Sequence, residues 1–287
     1  LVQILLILNQ ALCLVINQQG IVMKLNRFVA SMVFTAALGA SSASHALIQS
    51  DIVFMVDESG SMSNVQTNLR NNIGTFASIL LAGGLDVRFA LVGYGNSAVV
   101  PHVLTDFTNA TNFATAALGL VASGGTEPGY TTTAFSLNAF GGTNLNYRTN
   151  AVKNLMIFTD EASNGDTITR GGGTAWTEAL VDAQLTANNA LFNAITRSGA
   201  VASYADLATN HGGQTFDLNG LNTTDQTVVG AFVQAFATAK LKETIDFCTA
   251  NPTAPECQGS SVPEPGSLAL LGLALAGLTG LRRKAIY

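Results

Sequence analysis

After Asp51 the chain runs Ile52-Val53-Phe54-Met55-Val56 without a polar side chain, then turns abruptly to Asp57-Glu58-Ser59-Gly60-Ser61. An unbroken apolar run of this length marks a strand buried on both faces. Val65, Leu69, Ile73, Phe76 and Leu80 follow at intervals of four, four, three and four, the stripe of an amphipathic helix that Gly83-Gly84 ends. The alternation continues down the chain. Residues 88–94, 155–159, 191–196 and 215–218 predict strands, and 99–104 a further one, held to an edge by Pro101. Residues 109–122, 129–139, 174–189, 203–211 and 225–246 predict helices. Strand and helix in alternation specify an α/β architecture: one domain over 47–247, a doubly wound, mostly parallel open sheet with helices on both faces.

Composition changes the picture at the two ends. The 287 residues are 48% hydrophobic with a mean hydropathy of +0.34, high for a soluble chain, so some segments lie outside the fold. From Met23 a basic start (Lys24, Arg27), an apolar stretch (Phe28 to Leu38) and Ser44-His45-Ala46 have the layout of a secretory signal peptide, 23–46, cleaved after Ala46; a core helix is the alternative. Residues 1–22 precede that signal, do not begin with Met, and read as an over-extended reading frame.

At the other end Val-Pro-Glu-Pro-Gly-Ser leads into an apolar stretch, 268–281, followed by Arg282, Arg283 and Lys284. Fourteen helical residues span about 21 Å at ~1.5 Å each, short of the ~30 Å hydrocarbon core. The basic cluster belongs in the cytoplasm, which leaves the body outside. Pro263, Glu264 and Pro265, the apolar helix and Arg282-Arg283 together resemble the PEP-CTERM sorting signal of Gram-negative bacteria. The resemblance implies recognition and trimming of 263–287 by an exosortase. It also implies transient membrane insertion through the C-terminal helix, export across the inner membrane, and delivery to the cell surface or extracellular matrix. A plain single-span anchor is the alternative.

Charge supports that partition. Of 13 Lys and Arg, five lie in the two terminal segments, whereas all 18 acids lie between Asp51 and Glu264. The exported body is therefore more acidic than the whole-chain −5, which argues against nucleic acid as a partner. Cys248 and Cys257 flank a Pro-bearing loop in 248–262 and, in an exported protein, read as a disulfide; metal binding by two lone thiols is the weaker alternative.

The candidate chemistry lies where the first strand ends. In open parallel sheets ligands bind beyond the carboxyl ends of the strands. Asp57 stands at such an end, and Ser59 and Ser61 follow at alternate positions. These are hard oxygen donors, suited to Mg²⁺, Mn²⁺ or Ca²⁺. Leu155 to Thr159 leads into Asp160, and Ser-Gly-Gly-Thr-Glu-Pro-Gly offers Thr126. Asp-Glu-Ser-Gly-Ser, Gly-Gly-Thr-Glu-Pro-Gly and Phe-Thr-Asp-Glu together resemble the von Willebrand factor type A domain and its metal-ion-dependent adhesion site. The resemblance covers about 48–246, implies a Rossmann-like fold, and assigns metal ligation to Asp57, Ser59, Ser61, Thr126 and Asp160. Thr143 is a rival for the threonine. It further implies that hydroxyl ligands leave the cation electrophilic, so that an acidic group of a protein or polysaccharide partner completes its shell. Helix capping by Asp57, Ser59 and Ser61 is the bland alternative.

Glu58 and Glu161 read as solvated loop charges, His102 and His211 as ordinary loop or helix-end residues, and Gly171-Gly172-Gly173 as a flexible loop. Trp176 suits either the ligand surface or the core. The sequence thus predicts a cation-dependent adhesion module and not an enzyme. The alternatives are a matrix or biofilm protein whose metal only stabilises the fold, and a phosphatase-type hydrolase. The last is disfavoured because Ser59 stands where a second aspartate is wanted.

Overall fold

The computed structural model describes residues 47–96, 101–139, 144–167 and 174–258. Strand β1 (Ile48–Asp57) passes through a 3₁₀ turn (Gly60–Met62) into α1 (Ser63–Ala82). Then come β2 (Leu85–Tyr94), β3 (His102–Thr108), α2 (Ala110–Ala116), α3 (Gly129–Ser136) and β4 (Val152–Thr159). The chain continues through α4 (Glu178–Ala187), β5 (Leu191–Thr196), α5 (Ala205–Asn210), β6 (Thr215–Asp217) and α6 (Gln226–Ala250).

The six strands lie in the order β3-β2-β1-β4-β5-β6, all parallel except β3, which runs antiparallel at the edge beside β2. Strand order reverses between β1 and its neighbour β4, so the topological switch point lies at the carboxyl end of β1.

Both faces of the sheet are covered, as the apolar run of β1 requires. Ile52, Phe54 and Val56 point into a core shared with α1, α2 and α6, whereas Val53 and Met55 enter a second core under α3, α4 and α5. The first core is built on aromatic rings: Phe54 stacks on Phe158 at 5.4 Å and meets Phe113 at 4.8 Å and Phe76 at 5.8 Å. Trp176 is buried in the second core, which resolves its two sequence readings in favour of packing.

Element boundaries depart from the sequence pattern for identifiable reasons. Strand β4 begins at Val152 and takes in Asn154, a buried polar side chain that pairs with Ser50 across the sheet. Helix α3 ends at Ser136 rather than 139, because Asn138 takes a left-handed conformation (φ 61°) and its side chain gathers the amides of Asn144 and Leu145. The edge strand starts only after Pro101 and runs on to Thr108; its expected start at 99 lies outside the described residues. The expected 109–122 helix breaks off into a 3₁₀ turn over Ala117–Gly119.

At the far end from the switch point, α6 outruns its predicted end and Cys248 is bonded to Cys257, with Cα atoms 5.1 Å apart. This pair packs near Ile48, Val152 and Leu191, at the amino ends of three central strands. Among the described residues no helix is long and apolar enough to cross a membrane. The signal segment 23–46, residues 1–22 and the tail 263–287 with Pro263, Glu264, Pro265, Arg282 and Arg283 lie outside the described residues.

The ring cluster makes a quantitative prediction. Phe54→Ala is expected to cost about 3–5 kcal/mol, read as a lowered urea midpoint with an unchanged slope. A loss below about 1 kcal/mol would show that these rings do not anchor the helices to the sheet.

Candidate metal centre at the switch point

Three loops meet at the carboxyl ends of β1 and β4. The first carries Asp57, Ser59 and Ser61. The Asp57 carboxylate is fully buried; Oδ1 accepts the Ser59 amide at 2.7 Å and Oδ2 the Thr159 hydroxyl at 2.8 Å. The hydroxyls of Ser59 and Ser61 are 3.2 Å apart. The second loop, 121–128, brings Thr126 alongside. Its carbonyl oxygen and Asp57 Oδ1 both lie 3.0 Å from where a Cβ on Gly95 would stand, so that crossing admits only glycine. The third loop follows β4 and carries Asp160, next to the threonine that holds Asp57. Gly165 in this loop (φ +64°) packs against the Thr126 methyl group. All five predicted positions thus fall at one pole of the sheet. Thr143 and Gly171–Gly173 lie outside the described residues.

The capping alternative does not survive. Asn109, Thr177 and Asp225 each cap a helix through a side-chain oxygen. No side chain caps either the Gly60–Met62 turn or α1. The hydroxyls of Ser59 and Ser61 face each other instead of the helix amides.

Glu58 corrects the sequence reading most sharply. It is no solvated loop charge: it is fully buried and laces two loops together. Its Oε1 accepts the Val121 amide at 3.1 Å and its Oε2 the Asn96 side chain at 3.2 Å, while its carbonyl takes the amides of Ser123 and Gly124 at 2.9 and 3.0 Å. His102, expected to be an ordinary loop residue, begins β3 with Nε2 3.5 Å from Glu58 Oε2. Burial pushes the Glu58 carboxyl up, opposed by Val121, His102 and Asn96. Glu161 is exposed, and His211 pairs with Asp182 at the end of α5 at 3.0 Å.

Glu127 and Asn164 escaped the sequence reading. Glu127 is buried; its Oε2 accepts from Asn164 Nδ2 at 2.7 Å, and backbone bonds between the same residues tie the Thr126 loop to the Asp160 loop. Its pKa is raised by burial and by repulsion from Glu161 and Asp160. Asp166 adds a second tie, accepting from the Thr131 amide at 2.7 Å and the Ser163 hydroxyl at 2.6 Å. No periodic signal marks these residues, but a Glu beside the candidate Thr and an Asn-Gly after the candidate Asp are cues for a tight, laced loop.

The donor set fits a hard divalent cation. Asp160 Oδ2 pairs with the Arg197 guanidinium at 3.2 Å, while its Oδ1 is buried with no hydrogen-bond partner. Two carboxylates and three hydroxyls suit Mg²⁺, Mn²⁺ or Ca²⁺. Among the described residues no three His, Cys, Asp or Glu side chains converge as a softer or more highly charged cage.

Comparison with known proteins agrees with the fold. The model of the von Willebrand factor type A domain matches residues 51–199, more than half of the 287. That of the PEP-CTERM protein-sorting motif matches residues 261–284. This motif carries export and surface or extracellular association in Gram-negative bacteria, and implies processing by an exosortase. No curated protein matches the chain.

Burial pushes the Asp57 carboxyl from 3.8 up to about 7, against hydrogen bonds from Ser59 and Thr159 and with a small push from Glu127. The metal-free fold therefore binds a proton that the unfolded chain releases. The resulting stabilisation is complete below about pH 3.8 and is lost as pH rises through about 7. A divalent cation would replace that proton. Mg²⁺ is expected to raise the Tm by several degrees more at about pH 8 than at about pH 5, and Asp57→Asn to erase the difference. Equal shifts at both pH values would remove Asp57 from the ligand set.

Proposed function

This chain belongs to the von Willebrand factor type A domain family, and from that membership we propose that it is an exported, divalent-cation-dependent ligand-binding module rather than an enzyme. One contrast carries the reading. Strand β1 holds a fully buried carboxylate near each end. Asp51 is answered by two guanidiniums, Arg88 at 2.7 Å and Arg148 at 2.9 Å. Among the described residues no cationic side chain pairs with Asp57. A buried carboxylate is costly to leave charged and unpaired, so the second one calls for a cation from outside the chain.

Asp57, Ser59, Ser61, Thr126 and Asp160 would hold that ion. A bound Mg²⁺, Mn²⁺ or Ca²⁺ would supply an electrophilic position for an acidic group of a protein or polysaccharide partner. The chain's own residues do the positioning. Thr159 orients Asp57, Glu58 fixes the loop that presents Thr126, and Arg197 steadies Asp160 while leaving one of its oxygens open.

Calorimetric titration of Mg²⁺, Mn²⁺ and Ca²⁺ into the metal-stripped protein tests this reading. Saturable uptake is expected in the wild type and none in Asp57→Ala or Thr126→Ala. Thr159→Ala, which removes only the orienting hydroxyl, should weaken uptake by about 10–100-fold. Capture of a carboxylate-bearing ligand should be abolished by EDTA. Ligand held equally well in EDTA, or no uptake by the wild type with or without ligand, overturns the proposal.

A further inference from the structure

A second polar cluster lies away from the switch point, between β5 and α6. Lys240 is fully buried on the sheet-facing side of α6, and Asn193 is fully buried in β5. Lys240 Nζ donates to Asn193 Oδ1 and, at 2.9 Å, to Glu243 Oε2. Asn193 Nδ2 donates to the same carboxylate, 3.1 Å from Oε1 and 3.0 Å from Oε2. Gln214 closes the open side, with Nε2 2.9 Å from Glu243 Oε1. An amine, a primary amide and a carboxylate thus form a closed ring, and the carboxylate touches both nitrogens.

As an ion pair this is an expensive arrangement. A lysine taken wholly out of water keeps one carboxylate and one amide oxygen in place of its hydration shell. Burial pushes the Lys240 amine down from its ordinary value, opposed by Glu243. Passing one proton from Nζ to Glu243 along the existing hydrogen bond leaves two uncharged groups. The free amine then sits against the carbonyl of a primary amide whose leaving nitrogen is bonded to the newly protonated acid.

We propose that Lys240 and Asn193 join in an intramolecular isopeptide bond, with Glu243 as the proton carrier. The lone pair of Nζ attacks Asn193 Cγ, and the carbonyl electrons move to Oδ1. The Nζ–Cγ bond forms, Glu243 delivers its proton to Nδ2, and the Cγ–Nδ2 bond breaks as the carbonyl re-forms. Ammonia leaves, and the proton shed by Nζ returns to Glu243. One amine and one primary amide become one secondary amide and one ammonia, with no oxidant or cofactor. Strand and helix hold the reactants in contact, which replaces a chance encounter with a fixed one. The bond ties the interior of the sheet to its last helix, across residues 47 apart in sequence.

Intact mass of the purified full chain, with its disulfide reduced, tests the proposal. The wild type is expected to weigh about 17 Da less than its sequence, one ammonia. Trypsin should fail after Lys240 and yield a branched peptide joining residues 171–197 to residues 198–242. Succinimide formation at an Asn-Gly would mimic the mass change but leave Lys240 cleavable, an outcome that counts against the bond. Asn193→Asp should lose water and arrive at the same linked mass. Glu243→Gln, which keeps both reactants, should leave most molecules unlinked; linkage at the wild-type level would overturn the role given to Glu243. Wild-type protein at its full sequence mass, cut cleanly after Lys240, overturns the bond itself.

Discussion

From Ser50 to Asp57 strand β1 is buried without a break. It is hydrogen-bonded to β2 on one edge and β4 on the other, and helices cover both of its faces. Such a strand has room for polar side chains only near its ends, and any charge placed there must be answered locally. At the amino-terminal end Asp51 is neutralised by Arg88 and Arg148, and Arg148 reaches on to Asp86 at 2.6 Å. At the carboxyl end Asp57 has hydrogen-bond donors and, among the described residues, no cationic partner. One end of the strand is a closed structural knot; the other, on the proposed reading, is an open demand for positive charge.

That demand is met by preorganisation. The Thr126 loop follows a short helix and the Asp160 loop a strand. A parallel bridge between Ser59 and Gly124 sets the first of them against the end of β1. Buried side chains add the rest: Glu58 grips that loop, while Glu127, Asn164 and Asp166 join it to the other. Each tie buries a carboxyl group whose pKa is pushed up by desolvation. The cost of these burials is spread over the scaffold, and the result is a set of oxygens fixed before any ligand arrives, which is what a binding site on loops requires.

Local pattern carried the scaffold into view, and long-range pairing hid the rest. The apolar run of β1, the periodic stripe of α1 and the run Leu191–Thr196 report on burial residue by residue, so their elements are readable from sequence. So are Asp57 and Asp160, because an acid directly after a buried run is conspicuous. Glu58 was misread because adjacency to Asp57 says nothing about Val121 or Asn96, which reach it from distant positions in the chain. Asn138 ends α3 early through a backbone conformation that apolar spacing does not encode. Lys240 was legible in principle. It falls on the buried stripe Val229, Val233, Phe236, Ala237, Thr244 and Cys248 of α6, and a lysine on such a stripe signals a buried partner. The identity of that partner, an asparagine on β5, depends on how helix and sheet dock.

The two poles of the sheet then acquire distinct roles. On the proposed reading ligand contact would belong to the carboxyl ends of β1 and β4, whereas the disulfide that closes α6 packs near Ile48, Val152 and Leu191 at the amino ends. The sorting segment follows that disulfide in sequence, so if the proposed site held a partner while the tail held the surface, a pull between them would enter the domain through α6 at one pole and leave through the candidate metal centre at the other. Noncovalent packing of α6 alone would make that helix the weak step, because among the described helices it lies nearest the sorting segment and can be peeled from the sheet one contact at a time. A covalent tie between Lys240 and Asn193 would move the load onto β5, an interior strand bonded on both edges to β4 and β6. Peeling would then require several ladder hydrogen bonds to break together, the arrangement that best resists force applied along a tether.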